Sequence, residues 1–302
     1  MNNNININEF GVLLADSVKD SLGEVYSVEY KDIIKNNAVV YHALVIRKKG
    51  ESIAPTIYID EFYREYLKSR KILAIADNVI KIYRDNSNRG DFDVEFFTDF
   101  SRVCEHLSFK VVSLERNMQM LADVPYRQIE DLALIPVCNV SSDMIGNGCI
   151  TIHNKHFQEW EISEEELWEN VFENAYKAAP VKISTIAEHV GGIMGSPYDD
   201  TLNNILVVSN ENMRYGASAV FYPGVLKMIS EKLNSDLVII PSSVHETIVM
   251  SSYIADSNEY TLANMIREVN ETVVSDEEIL SDNAYYYDAD DEAVRIFAEK
   301  QI

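Results

Sequence analysis

Ser242, Ser243, His245 and Glu246 stand together where a long apolar run breaks, in SDLVIIPSSVHETIVM. A serine and a histidine two residues apart in an extended segment project to the same side of a strand. A nucleophilic hydroxyl needs a base within hydrogen-bond reach and a third group that orients the base. Ser243, His245 and Glu246 supply those three residue types, so a hydrolase is one function the segment can support. Tyr215 and Ser242 are its candidate binding residues. The competing reading is a tight turn whose hydroxyls cap backbone groups, with His245 hydrogen-bonded beside it. Spacing favours the turn. No GxSxG elbow occurs, and His245-Glu246 fails as half of HExxH because Val249 stands at the second histidine position.

His153 and His156 form an H-x-x-H pair. On a helical turn this spacing puts two imidazoles on one side, a workable start for a metal site. A third ligand would have to come from Glu159 or from His245. The plainer reading is a pair of polar residues at a helix entry. No cofactor is expected: GxxxxGK[ST] and GxGxxG are absent, and Asn210–Gly216 lacks the glycines of a phosphate cradle. Asp288, Asp290, Glu292 and Glu299 fit positions 1, 3, 5 and 12 of a calcium loop, but Ala293 stands where the tight turn requires glycine. That stretch reads as a solvated acidic tail. Phe62-Tyr63-Tyr66 and Tyr285-Tyr286-Tyr287 could stack bases, yet their neighbours are acidic or mixed. Base stacking then lacks its cationic partner, and core packing or an interaction surface is the better reading.

The charge is lopsided. The formal net charge is -23. Residues 1–150 carry 17 basic and 22 acidic side chains, whereas residues 151–302 carry 9 and 27. Such a surface repels nucleic acid and anionic lipid, so direct nucleic-acid binding and membrane binding are not expected, and it attracts a basic protein. Three cysteines without CxxC pairing argue against both a disulfide framework and a zinc knuckle. The polar start MNNNININEF has no apolar signal region, and no run of ~18 apolar residues spans a membrane. These features point to the cytoplasm.

The elements that would position these groups follow from periodicity. Phe10, Leu13, Leu14, Ala15, Val18 and Leu22 lie on one helical face, with Gly23 as a stop. A hairpin follows with Asn36-Asn37 in its turn, then a short strand after Pro55, then helices around 60–68 and 71–85. Residues 91–122 read either as one bent helix or as a helix with a strand. A strand over 126–140 pairs with GCITIHN across the SSDMIGNG turn. Ser163 caps a helix whose Glu166 completes a capping box. GGIMGSPYDD reads as a loop, NILVVSN, ASAVFY and DLVII as strands, and VLKMISEKL and TLANMIREVNET as helices. AYYYD reads as an edge strand. Strands and helices in mixed order with hairpins predict an α+β fold with mixed or antiparallel sheets. Two modules are expected, 1–122 and an acidic 123–302.

The phrases GESIAPTIYIDEFY, DVPYRQIEDLALI, TIHNKHFQEWEISEEELWENVFENA, YGASAVFYPGVL, SDLVIIPSSVHE and REVNETVVSDEEILSDNAYYYD occur in one order. Over roughly residues 6–288 the chain resembles a bacterial family catalogued as domain of unknown function 5688. Over about 126–285 it is loosely similar to domain of unknown function 1444. The resemblance implies a bacterial, Gram-positive gut-type origin and a cytoplasmic protein, and it assigns no reaction and no catalytic residue. The expected function is therefore a non-enzymatic acidic module that binds a basic protein. The alternatives are a hydrolase centred on residues 242–246 and an inhibitor that mimics nucleic acid.

Overall fold

The structure, a computed structural model of the chain, describes residues 5–50, 54–87, 94–142, 146–188, 204–255 and 262–297. It divides into two compact units, residues 1–95 with 142–146, and residues 96–141 with 147–302.

The first unit opens with helix α1 (Ile7–Leu22). Asn6 Oδ1 accepts the Glu9 N–H and Glu9 Oε2 accepts the Asn6 N–H, each at 2.9 Å, so two otherwise orphaned donors are satisfied reciprocally. The helix ends at Gly23, whose φ of +87° suits glycine alone. Phe10, Leu14 and Val18 are fully buried. Leu13 is not on that face as expected, being 42 % exposed. Strands β1 (Tyr26–Ile34), β2 (Val40–Lys48) and β3 (Thr56–Tyr58) form an antiparallel sheet in that order. Their hairpin turn places Asn37 at φ 58°, a conformation asparagine tolerates. Helices α2 (Asp60–Ser69) and α3 (Ile72–Ser87) complete the unit, and Leu44, Ile46, Ile59, Ile75 and Val79 join the α1 residues in its core. Tyr63 and Tyr66 pack on Phe10 with ring centroids 5.4 and 5.0 Å away, so this cluster is core packing.

The second unit holds two antiparallel sheets. The smaller has β4 (Leu107–Ser113), β5 (Arg127–Ile129), β6 (Leu132–Ser142) and β7 (Gly146–Thr151), with β4, β5 and β7 all paired to β6. The larger has β8 (Val181–Thr185), β9 (Ile205–Asn210), β10 (Leu237–Ser243), β11 (Glu246–Ser251), β12 (Tyr285–Asp288) and β13 (Ala293–Ile296), in the order β13-β12-β10-β11-β9-β8. Helices α4 (Glu164–Ala178), α5 (Val225–Leu233) and α6 (Leu262–Thr272) pack with them. One core runs through both sheets, from Phe109 and Val111 through Leu167 and Val171 to Val208, Leu237 and Val249. The class is α+β.

Several expectations change in detail. Residues 96–122 belong with the second unit, because β4 pairs with β6 along its whole length. The 126–140 strand is two strands folded over a tight turn at Glu130, φ 52°. AYYYD is not an edge, since β12 lies between β10 and β13. ASAVFY is not a strand: Gly216–Phe221 is a 3-10 segment. Its small residues are buried on all sides, which mimics the apolar pattern of an interior strand. Ser163 accepts the Glu166 N–H at 3.1 Å and so caps α4. The loop expected at 191–200 lies outside the described residues.

Candidate functional site

The β10–β11 hairpin carries the serine–histidine cluster. A register shift between Pro241 and Ser243 leaves half-buried Ser242 in a bulge. Ser243 then pairs with Glu246 across a two-residue turn. The Ser243 hydroxyl accepts the His245 backbone N–H at 3.0 Å. Val244, 2 % exposed, donates its N–H to the Glu278 carbonyl at 2.9 Å, and its own carbonyl accepts from Ala217 at 3.3 Å. The turn is thus fastened from both sides.

The His245 ring points elsewhere than at Ser243. Its Nδ1 accepts the Tyr215 backbone N–H at 3.1 Å, and its Nε2 lies 3.3 Å from Glu278 Oε1. An acceptor role at Nδ1 puts the proton of the neutral ring on Nε2, where Glu278 receives it. Both nitrogens are engaged, and the Tyr215 ring stacks on the imidazole with centroids 5.8 Å apart. In this arrangement His245 positions Tyr215. Ser243, His245 and Glu246 are neighbours in the turn, but in place of the bond a triad requires, serine hydroxyl to imidazole, the Ser243 hydroxyl accepts the His245 backbone N–H.

Tyr215 sits in a tightly wound loop. Met213 and Tyr215 both lie in the left-handed region, at φ 52° and 50°, which costs a bulky residue roughly 1–3 kcal/mol. The loop is held by Asn210, 3 % exposed, whose amide donates to the Arg214 carbonyl at 3.0 Å and accepts the Arg214 N–H at 3.4 Å. Gly216 closes it: a Cβ there would lie 2.2 Å from Ser209 Oγ, 2.6 Å from the His245 carbonyl oxygen and 2.7 Å from the Asn210 nitrogen.

Tyr215 also lines a cleft of about 220 Å³, bounded by β4, the β6–β7 hairpin and this loop. Lys110 Nζ stands 4.9 Å from the Tyr215 ring centre and 3.3 Å from Thr151 Oγ1. The Arg214 guanidinium carbon is 5.5 Å from the same ring. The sequence leaves the β4 region open between one bent helix and a helix with a strand, and no motif marks Lys110 or Arg214. The available signals were a lysine inside LSFKVVS, whose other residues are all buried, and an arginine in a loop of a strongly acidic half.

A family model matches residues 7–289, nearly the whole chain. The chain belongs to the family of unknown function DUF5688. It matches no curated protein and no solved structure. The looser likeness of this DUF5688 member to family 1444 stays a likeness read from sequence alone.

His153 and His156 form a separate cluster. His153 Nδ1 lies 3.1 Å from Asp123 Oδ2, and His156 Nδ1 accepts the His153 N–H at 3.0 Å. The His156 ring is edge-on to Phe97 at 5.0 Å and tilted against Trp160 at 6.1 Å. Burial holds its pKa below the ordinary histidine value. The pair opens a short helix, Asn154–Glu159. Among the described residues no group of three His, Cys, Asp or Glu side chains could hold a metal. In the acidic stretch, Asp288 Oδ1 accepts the N–H groups of Asp290 and Asp291, each at 3.0 Å, a side-chain turn that links β12 to β13. Glu299 lies outside the described residues. Among those residues no helix is long and apolar enough to cross a membrane.

Proposed function

We propose that this DUF5688 member is a bacterial, cytoplasmic, non-enzymatic binding protein whose acidic second unit engages a basic protein. The reading rests on one face of α4. Leu167, Trp168, Val171 and Ala175 turn into the core, and Glu165, Glu169 and Glu173 stand exposed on the opposite side. Successive members are four residues apart, so they form a ridge with a carboxylate about every 6 Å. Like charges at this spacing destabilise an isolated helix, and an opposing basic surface removes that cost. The half of the chain that carries the ridge also holds most of the negative charge.

Salt-graded co-purification from a native lysate, with wild type and the E165Q/E169Q/E173Q variant side by side, tests this reading. A basic protein that is retained by the wild type at low salt, lost at high salt and absent from the variant supports it. Recovery of the bare chain at low salt contradicts it. A retained partner that itself acts on nucleic acid would turn the reading toward mimicry.

A further inference from the structure

We infer that this chain pairs with a second copy of itself through the free edge of β1, the two strands running antiparallel about a two-fold axis at Tyr30. This goes beyond the partner surface on α4 and does not depend on it.

β1 is the edge of its sheet. β2 pairs with one side of it, and among the described residues no strand pairs with the other. The strand is nine residues long, runs beside β2 without a register shift and contains neither proline nor glycine. A long regular edge of this kind is a template for another strand. Its outward groups can be assigned. The Lys49 N–H donates to the Val25 carbonyl at 2.9 Å, and the Lys35 N–H donates to the Val39 carbonyl at 2.8 Å. Odd-numbered residues of β1 therefore occupy the hydrogen-bonded pairs with β2. Alternation then turns the backbone groups of Val28, Tyr30 and Asp32 away from β2.

Pairing β1 with itself about Tyr30 uses the whole strand. Tyr30 stands opposite Tyr30, Val28 opposite Asp32, Tyr26 opposite Ile34 and Glu29 opposite Lys31. Val28, Tyr30 and Asp32 fall in the hydrogen-bonded pairs and give about six bonds between the copies. Glu29 and Lys31 fall in the other pairs, where opposing side chains are closest.

The charges select this register. Glu29 and Lys31 are exposed and lie 2.7 Å apart within one chain. That ion pair stays intact on association, because each member gains an opposite charge across the axis and the four charges alternate around it. Moving the axis by one residue sets Glu29 opposite Glu29 or Lys31 opposite Lys31, and like charges directly opposite are destabilising. The strand is thus self-complementary in one alignment, which makes a second copy its fitting occupant. The strand ends agree. Ile34 and its β2 neighbour Val40 are exposed, and the pairing brings Tyr26 of the second copy against Ile34, an aromatic–β-branched contact. Residues 1–150 also carry 17 basic and 22 acidic side chains, so the copies meet through the half of the chain where their mutual repulsion is smaller.

Sedimentation velocity of the full chain, from about 1 to about 200 μM, tests the pairing. The wild type should pass from monomer to dimer across this range. E29K and K31E each put like charges across the axis and should weaken the dimer by about tenfold or more. Mixed together they should associate as a heterodimer, because a strand with two lysines then faces a strand with two glutamates. The exchange variant E29K/K31E should dimerise like the wild type. All three variants change exposed side chains only, so the folded chain is what is compared. A wild type that stays monomeric throughout, single variants that dimerise as well as the wild type, or a mixture that associates no better than its components overturns the proposal.

Discussion

Tyr215 donates its backbone N–H to Nδ1 of His245 at 3.1 Å while the two rings stack. The bond joins a strained loop to a half-buried hairpin turn, and it gives the most chemically suggestive histidine of the chain a positioning role. The account predicts that H245F, which keeps a ring but removes the acceptor, leaves the Tyr215 N–H unsatisfied. A loss of roughly 1–3 kcal/mol is expected in urea unfolding. S243A should lose about 1 kcal/mol with the cap on the His245 N–H. A hydroxyl held in reserve for catalysis would show no such loss.

Gly216 and Gly148 make a controlled pair. At Gly216 an added methyl meets Ser209 Oγ and two backbone atoms at 2.2–2.7 Å, so G216A should cost about 1–3 kcal/mol. At Gly148 it meets Val140 Cγ2 at an ordinary 3.5 Å, so G148A should change stability by less than about 0.5 kcal/mol. Chemical denaturation of both variants checks the contrast.

Asp131 ties the smaller sheet to the larger. It accepts from Tyr285 at 2.5 Å, Ser281 at 2.7 Å and Asn283 at 3.1 Å. Burial, with the Asp131 charge beside it, holds the Tyr285 pKa far above the ordinary tyrosine value, so the phenol remains a donor. Y285F should cost about 1.5–3 kcal/mol and D131A more, because D131A strands three donors. The double variant should fall short of the sum. Unfolding free energies in a double-mutant cycle measure this directly.

Stability should fall with acid in two steps. The His156 pKa is depressed in the folded state, chiefly by burial. Its contribution is complete above 6.5 and is lost as pH falls below that value, because the unfolded chain takes the proton first. The Asp236 pKa is depressed by the hydrogen bonds from Tyr286 at 2.6 Å and Ala289 at 2.9 Å. Its contribution is present above 3.8 and lost as pH falls through the lower folded value. Urea midpoints against pH should decline below 6.5 in the wild type, and that decline should be shallower in H156Q.

Periodicity made most of this fold legible. The stripe Ile75, Ala76, Val79, Ile80 and the Asn36-Asn37 turn each follow from a local rule, and the structure keeps both. What stayed hidden depends on tertiary context. Gly216–Phe221 looks like a strand because every residue is small or apolar, but it is wound because Gly216 must press against β9 and the His245 carbonyl. β4 was ambiguous since it is buried on both faces and has no alternation to read. The cleft joins Lys110 to Arg214 over a hundred residues of chain, and no spacing rule reaches that far. The serine–histidine segment was legible both as a site and as a turn. Only the direction of the His245 ring distinguishes the two.

The central claim, that the acidic second unit meets a basic protein on the α4 ridge, is tested most directly by site-specific photo-crosslinking in native cells. A benzophenone side chain replaces Glu169 in one sample and exposed Tyr253, on another element of the same unit, in a second. The account predicts a discrete adduct with a basic protein from position 169 and none from 253. No adduct from 169, or the same adducts from both positions, would contradict it.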